Sequence, residues 1–243
     1  MKRILTATAL AALLCGCARE NGALRMATES DFPPYEFLRG PETVGVDIEL
    51  GRAVAEKLGR KIVVDTLDFD AVLPAVVSAK ADFAIAGITV TDERAKTVDF
   101  SVPYVTTGIV VVYSKLKPFI RPEMLKGRII GVKSATTSES YVLEKLNQEP
   151  VRFRTLPEAV ASLKAGRIDF VISDVEPAKT CIKGDKLLSL SDFITKEDYA
   201  VAVRKGHPDL IKAINETIAE VKADGRLAKW TADYTAEADS LKQ

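Results

Sequence analysis

The sequence predicts an α/β fold in two lobes, each a mixed, mainly parallel sheet flanked by helices, with a cleft between them. Three observations predict it. Strand-like apolar runs alternate with amphipathic stretches at helical spacing, the pattern of strands joined by crossover helices. The phrasing returns in the second half: "AVVSAKADFAIAG" and "AVASLKAGRIDFVISD" each read as a helix, a tight turn, Asp-Phe and a buried run. Duplication or ordinary α/β habit explains that loose match equally. Between the halves runs "PYVTTGIVVVYSK", a long apolar crossing.

The elements follow in chain order. "ALRMATE" (23–29) is a strand. "GVDIELGRAVAEKLG" (45–59) has apolar residues at helical spacing and ends at Gly59, a residue suited to a helix C-terminus. "KIVVDTL" (61–67) is a strand, "FDAVLPAVVSAKA" (69–81) a helix and "DFAIAG" (82–87) a short buried strand. Thr91 then stands as an N-cap before Asp92 and Glu93, where a helix start favours negative charge. Arg94 opposes that preference. It either holds an anion beside the helix end, pairs with Asp92, Glu93 or Asp99, or lies in solvent. After the crossing, "GRIIGVK" (127–133) is a strand and "SATTSESYVLEKL" (134–146) a loop and helix. "PVRFRTL" (150–156), "PEAVASLKAGR" (157–167) and "IDFVISD" (168–174) are strand, helix and buried strand.

The first residues read differently. "MKR" followed by "ILTATALAALL" is a positive start and a short apolar core, as in an export signal. It is too short to span a membrane comfortably. "LCGC" (14–17) resembles the bacterial lipobox, with Cys15 departing from the usual second residue. The expectation is a signal peptide over 1–17, acylation of Cys17 and a tether over 18–23; plain secretion is the alternative. A lipid on Cys17 would hold the protein on a membrane without crossing it. Of the three cysteines only Cys181 then remains in the body, so an internal disulfide is excluded. Formal net charge is zero, and no basic run is interleaved with aromatics, so a nucleic-acid partner is not expected. No cofactor or metal motif is present.

In open α/β sheets ligands bind beyond the carboxyl ends of the strands. Those ends carry Glu29 and Gly87 to Thr89 in one lobe. In the other they carry Lys133 to Thr137, Ser173 and Asp174. Arg94 follows one of these ends directly. A guanidinium on one wall and a carboxylate on the other complement a zwitterion: Arg94 for an α-carboxylate, Asp174 for an α-ammonium.

"FPPYEF", "VGVDIELGRAVAEKLG", "AGITVTDERAKTVDFS" and "GVKSATTSESY" together resemble the polar amino-acid-binding extracytoplasmic proteins of bacterial ABC importers. The likeness runs over about residues 24 to 235. It implies a discontinuous lobe one, 24–107 with 203–243, and a lobe two over 108–202, closing on a free amino acid and presenting it to a membrane permease. A monomer outside the cytoplasm is implied. Arg94 would clamp the ligand carboxylate with Thr89 and Thr137, beside Thr136. Gly87 and Asp174 would take the ammonium, and Phe32 and Phe69 would wall the pocket. Each has another reading: core aromatics, a helix cap at Asp174, a strand end at Gly87, a helix start at Thr136 and Thr137.

Glu29, Lys133 and Ser173 stand where the side chain would be read. Glutamine-binding relatives carry Asp, Lys and His there, so the pocket differs in reach. Glu29 accepting from an amide and Lys133 donating to it suit a glutamine-like ligand, with arginine or lysine next. The alternative is that the two pair with each other across the closed cleft and read nothing. Two other classes share the fold: dehydratases of cyclohexadienyl acids, and sensor domains that partner a membrane receptor. An enzyme is not expected, because the single histidine, His207, precedes a Pro far from the cleft segments. The polar end "TAEADSLKQ" argues against a sensor that continues into a membrane helix.

Overall fold

The computed structural model describes residues 22–241. The expected signal peptide, Cys17 and residues 18–21 of the tether lie outside the described residues. Where the description begins, the Arg60 guanidinium donates to the carbonyls of Gly22 (2.6 Å) and Ala23 (3.2 Å).

Two sheets carry the molecule. The first has the order Ile62–Thr66, Leu24–Thr28, Phe83–Ala84, Ala202–Arg204, Val98–Phe100. The second runs Val151–Phe153, Ile130–Lys133, Phe170–Asp174, Val105–Ser114, Leu188–Leu190, with Thr195–Tyr199 also paired to Val105–Ser114. Both are mixed. Pairs among the strands joined by helices are parallel. Antiparallel pairs come from the segments that cross between sheets, Val105–Ser114, Thr195–Tyr199 and Ala202–Arg204.

Alternation places each core. Met26 and Phe83 face one cluster with Leu24, Ile48 and Leu50, while Ala27 and Ala84 face another with Val72 and Val76. In the second sheet Val110, Val112 and Val171 point one way and Ile109, Val111 and Ile172 the other. Burial on both faces explains why these strands read as continuous apolar runs rather than alternating ones.

Helices cover both faces. Val46–Lys57 falls within the expected 45–59 span, followed by Gly59 at φ 60°. Phe69–Val77 stops short of the expected Ala81, because Ala79 turns back at φ 59°. Thr137–Ser140 passes into a π turn over Tyr141–Lys145. Leu156–Lys164 opens with a capping box of Thr155 and Glu158. Pro208–Ala223 and Arg226–Ser240 pack on the first sheet's core through Ile214, Ile218, Val221 and Leu227. A small three-stranded sheet, Asp31–Phe32, Glu36–Arg39 and Glu42–Val44, was not read from the sequence. Among the described residues no helix is long and apolar enough to cross a membrane.

Candidate functional site

The carboxyl ends of both sheets meet at one cavity. Every residue expected at the ligand lines it: Glu29, Phe32, Phe69, Gly87, Thr89 and Arg94 from one side, Lys133, Thr136, Thr137, Ser173 and Asp174 from the other. Asp31 lines it too and was missed.

Arg94 enters from the short helix Asp92–Ala95, capped by Thr91, whose hydroxyl accepts from the Arg94 N–H at 3.2 Å. Of its suggested acidic partners, Glu93 pairs with Lys96 and Asp99 with Lys205 (3.2 Å). The guanidinium instead donates to the Thr89 carbonyl (2.9 Å) and, across the cleft, to the Ala135 carbonyl (3.0 Å). It lies 5.6 Å from the Phe69 ring centroid. Burial lowers its pKa against the attraction of Glu197 and Asp174. A half-buried cation bonded, among the described residues, to neutral carbonyls alone is available to an anion.

Asp174 ends the strand Phe170–Asp174 and precedes the helix Val175–Ile182. It stands at the N-cap position but makes no side-chain cap bond. Its Oδ1 accepts the Tyr199 hydroxyl instead. Burial, set against that bond, pushes its pKa up to about 6.

At a third corner the Lys133 ammonium bonds Glu29 and, at 2.5 Å, Asp31, and lies 5.6 Å from the Phe69 centroid. Lys133 is 9% and Glu29 3% exposed, so this is a buried link between the lobes. The pairing left open from the sequence is therefore present. Burial raises the Glu29 pKa well above the ordinary range, with Lys133 opposing and Asp31 adding. Burial opposes the Lys133 charge, but Glu29 and Asp31 overcome it and raise the ammonium pKa.

The threonines divide. The Thr136 hydroxyl donates to the Lys133 carbonyl (2.7 Å) and caps the next helix, so it holds the loop. The Thr137 hydroxyl donates to Glu197 Oε2 (3.0 Å), a buried carboxylate also missed from the sequence. Phe32 packs on Tyr35 at 5.7 Å between centroids, so it serves core and cavity together.

Gly87 is set by backbone. At φ 52° a side chain is strained, and a Cβ there would lie 2.5 Å from Phe32 Cε1. Its N–H donates to Asp47 Oδ2 at 2.8 Å. Gly87→Ala is expected to cost about 1–3 kcal/mol from the strained backbone alone, and more from displacing Phe32. Thermal melts of the variant check this.

Two sheet-bearing lobes joined by crossing strands, with a charged cavity where their strand ends meet, define a two-lobed ligand-binding protein. Residues 24–237 match the bacterial extracellular solute-binding proteins, family 3, and the chain belongs to that family. It is 30% identical over 234 residues to the "Putative ABC transporter arginine-binding protein 2" of Escherichia coli strain K12, covering 93% of this chain and 95% of that protein. Among solved structures, "An ancestral arginine-binding protein bound to glutamine" is 39% identical with a TM-score of 0.79, covering 88% and 97%. The "ancestral amino acid-binding protein AncCDT-1, a precursor of cyclohexadienyl dehydratase" is 31% identical with a TM-score of 0.80, covering 88% and 96%. The protein is an amino-acid-binding component of an ABC transporter system.

Proposed function

We propose that this protein captures an L-amino acid whose side chain ends in N–H donors, closes on it, and delivers it to an ABC permease outside the cytoplasm. The observation that carries the reading is the placement of Arg94 and Asp174 on opposite walls of one cavity. Their charges complement an α-carboxylate and an α-ammonium. Thr89 and the backbone N–H of Thr137 supply further donors at the Arg94 pole, the Thr137 hydroxyl being held by Glu197, and Gly87 lends its carbonyl at the other. The lobes that move are 24–107 with 203–243, and 108–202, with the crossings as the hinge. Cys17 carries the lipid that keeps the protein at the membrane.

The far corner sets the side chain. Two carboxylates, Glu29 and Asp31, face one ammonium, Lys133, beside Ser173. The surplus of acceptors suits an amide or a guanidinium and repels a carboxylate. Glutamine needs no charge change there. Arginine, named for the bacterial relative, would share the two carboxylates with Lys133. Glutamate and aspartate would meet no free cation there, because Lys133 is already paired with Glu29 and Asp31.

Binding without turnover follows from how the acids are held. Glu29 is bonded to Lys133 and Asp174 to Tyr199, and His207 sits beside Arg204 at 2.7 Å rather than on the cavity. Incubation with a cyclohexadienyl acid is expected to return it unchanged.

A thermal-shift screen of the protein-forming amino acids tests the reading. Glutamine, arginine or both should raise the melting temperature, corresponding to about 2.7 kcal/mol at a hundredfold excess over Kd. Glutamate and aspartate should not. Absence of any shift across the set overturns it.

A further inference from the structure

Tyr199 belongs to both lobes. Its backbone pairs with Val105 in the second sheet and bridges to Thr89 in the first lobe. Its fully buried ring packs with Phe32 (6.1 Å), Tyr35 (5.4 Å, edge-on) and Tyr104 (6.5 Å) in the first lobe's core. Its hydroxyl donates to Asp174 of the second lobe. We propose that Tyr199 is a positioning residue: fixed by the first lobe's aromatic core, it aims the Asp174 carboxylate and keeps it ionised for a ligand's ammonium. The inference rests on the amino-acid-binding reading above.

A carboxylate withdrawn from water takes up a proton unless donors or cations hold its charge. Asp174 is 6% exposed. Burial drives its pKa up to about 6, and the Tyr199 hydroxyl is the largest influence acting the other way. Glu197 raises it further, and Arg94 helps to lower it. Tyr35, Tyr104, Glu176 and, behind them, Asp47 and Glu36 are further ionisable groups around this pair. Glu29 and Lys133 lie at the opposite corner. Burial, reinforced by Asp174, holds the Tyr199 proton in place well above the ordinary range, so the hydroxyl remains a donor. Three rings packed against it leave it little rotational freedom, so the donor is delivered in a fixed direction.

The test is the pH profile of binding, titrated calorimetrically with arginine and glutamine across roughly pH 5 to 8. In the unaltered protein affinity is full at the upper end and falls as pH drops through about 6, where Asp174 gains its proton. In Tyr199→Phe the ring stays but the donor goes. The falling limb should move up by about one to two pH units, the worth of a hydrogen bond to a charged group. Affinity near the upper end should approach the unaltered value. 3-Fluorotyrosine at 199, a stronger donor of similar size, should move the limb the other way. Limbs that stay in place, with affinity weakened equally at every pH, would mean a packing role only and overturn the proposal. Asp174→Asn separates the two ideas. Loss of affinity together with this limb supports Asp174 as the ammonium partner, and a limb from Glu29 would survive it. Unchanged affinity in Asp174→Asn overturns the binding reading of Asp174 itself.

Discussion

Replacing Arg94 by alanine is expected to weaken amino-acid binding by roughly 3–5 kcal/mol, or about two to four decades in Kd. The size follows from where the charge sits. Arg94 lies against the Phe69 ring in a cavity closed by the second lobe. A ligand carboxylate brought there loses its water, and without the guanidinium it is a buried charge with no partner. Arg94→Lys keeps the charge but loses the planar fork, so an intermediate loss is expected. Stability should respond quite differently. Without ligand the guanidinium makes hydrogen bonds to the carbonyls of Thr89 and Ala135 and, among the described residues, no ion pair, while burial opposes its charge. Alanine there should therefore leave the ligand-free melting temperature little changed. Calorimetric titration beside a ligand-free melt checks both halves. Full affinity in the alanine variant would end the case for Arg94 as the carboxylate clamp.

The contrast between what could be read and what could not has a physical origin. Strands buried on both faces, such as Ile130–Lys133 and Phe170–Asp174, announce themselves as apolar runs. The polar residues that end such runs lie at the sheet's carboxyl edge, which is why Glu29, Gly87, Lys133 and Asp174 could be assembled into one cleft on paper. Asp31, Glu197 and Tyr199 have no such marker. Asp31 begins a two-residue strand of a small sheet whose pairing depends on tertiary contacts. "TKEDY" reads as a polar loop, yet it is a strand crossing between lobes. Its alternation was the available clue: Glu197 and Tyr199 are buried while Lys196 and Asp198 are exposed. Nor does sequence separate a surface acid from a buried one. Glu36 in "FPPYEF" and Asp47 in "GVDIEL" look like ordinary helix and turn punctuation, and both are fully buried.

Asp47→Ala is accordingly expected to be among the most damaging single changes, lowering stability by about 2–6 kcal/mol at 1–3 kcal/mol for each stranded donor. Asp47 Oδ2 accepts the Gly87 N–H and the Tyr104 hydroxyl, both at 2.8 Å. Alanine leaves both donors buried without partners and frees the strand end that walls the cavity. Glu36 faces the same carboxylate. Were both acids charged, Glu36 Oε1 and Oε2 and Asp47 Oδ1 would have no hydrogen-bond donor. A single proton held between the two acids, with Glu36 donating to Asp47, would engage two of these three oxygens, and the pH profile below tests for it. Burial, then the Asp47 charge, raises the Glu36 pKa well above the ordinary range, and burial pushes Asp47 up to about 6. The sign follows. Above the ordinary carboxylate range the folded protein binds more protons here than the unfolded chain, so stability falls as pH rises. The loss begins near the ordinary carboxylate pKa and continues through about 6, where Asp47 loses its proton, with the raised Glu36 adding to it. Glu36→Gln keeps an N–H donor facing Asp47 and removes the titrating proton. It should fold close to normally and flatten that slope, whereas Asp47→Ala should not be rescued at any pH. Glu29 and Asp174 add slope of the same sign, so the comparison is between gradients in melts run across the window. Equal gradients in the Glu36→Gln and unaltered proteins would show that no proton is shared by the pair, and that its charge is met by another route.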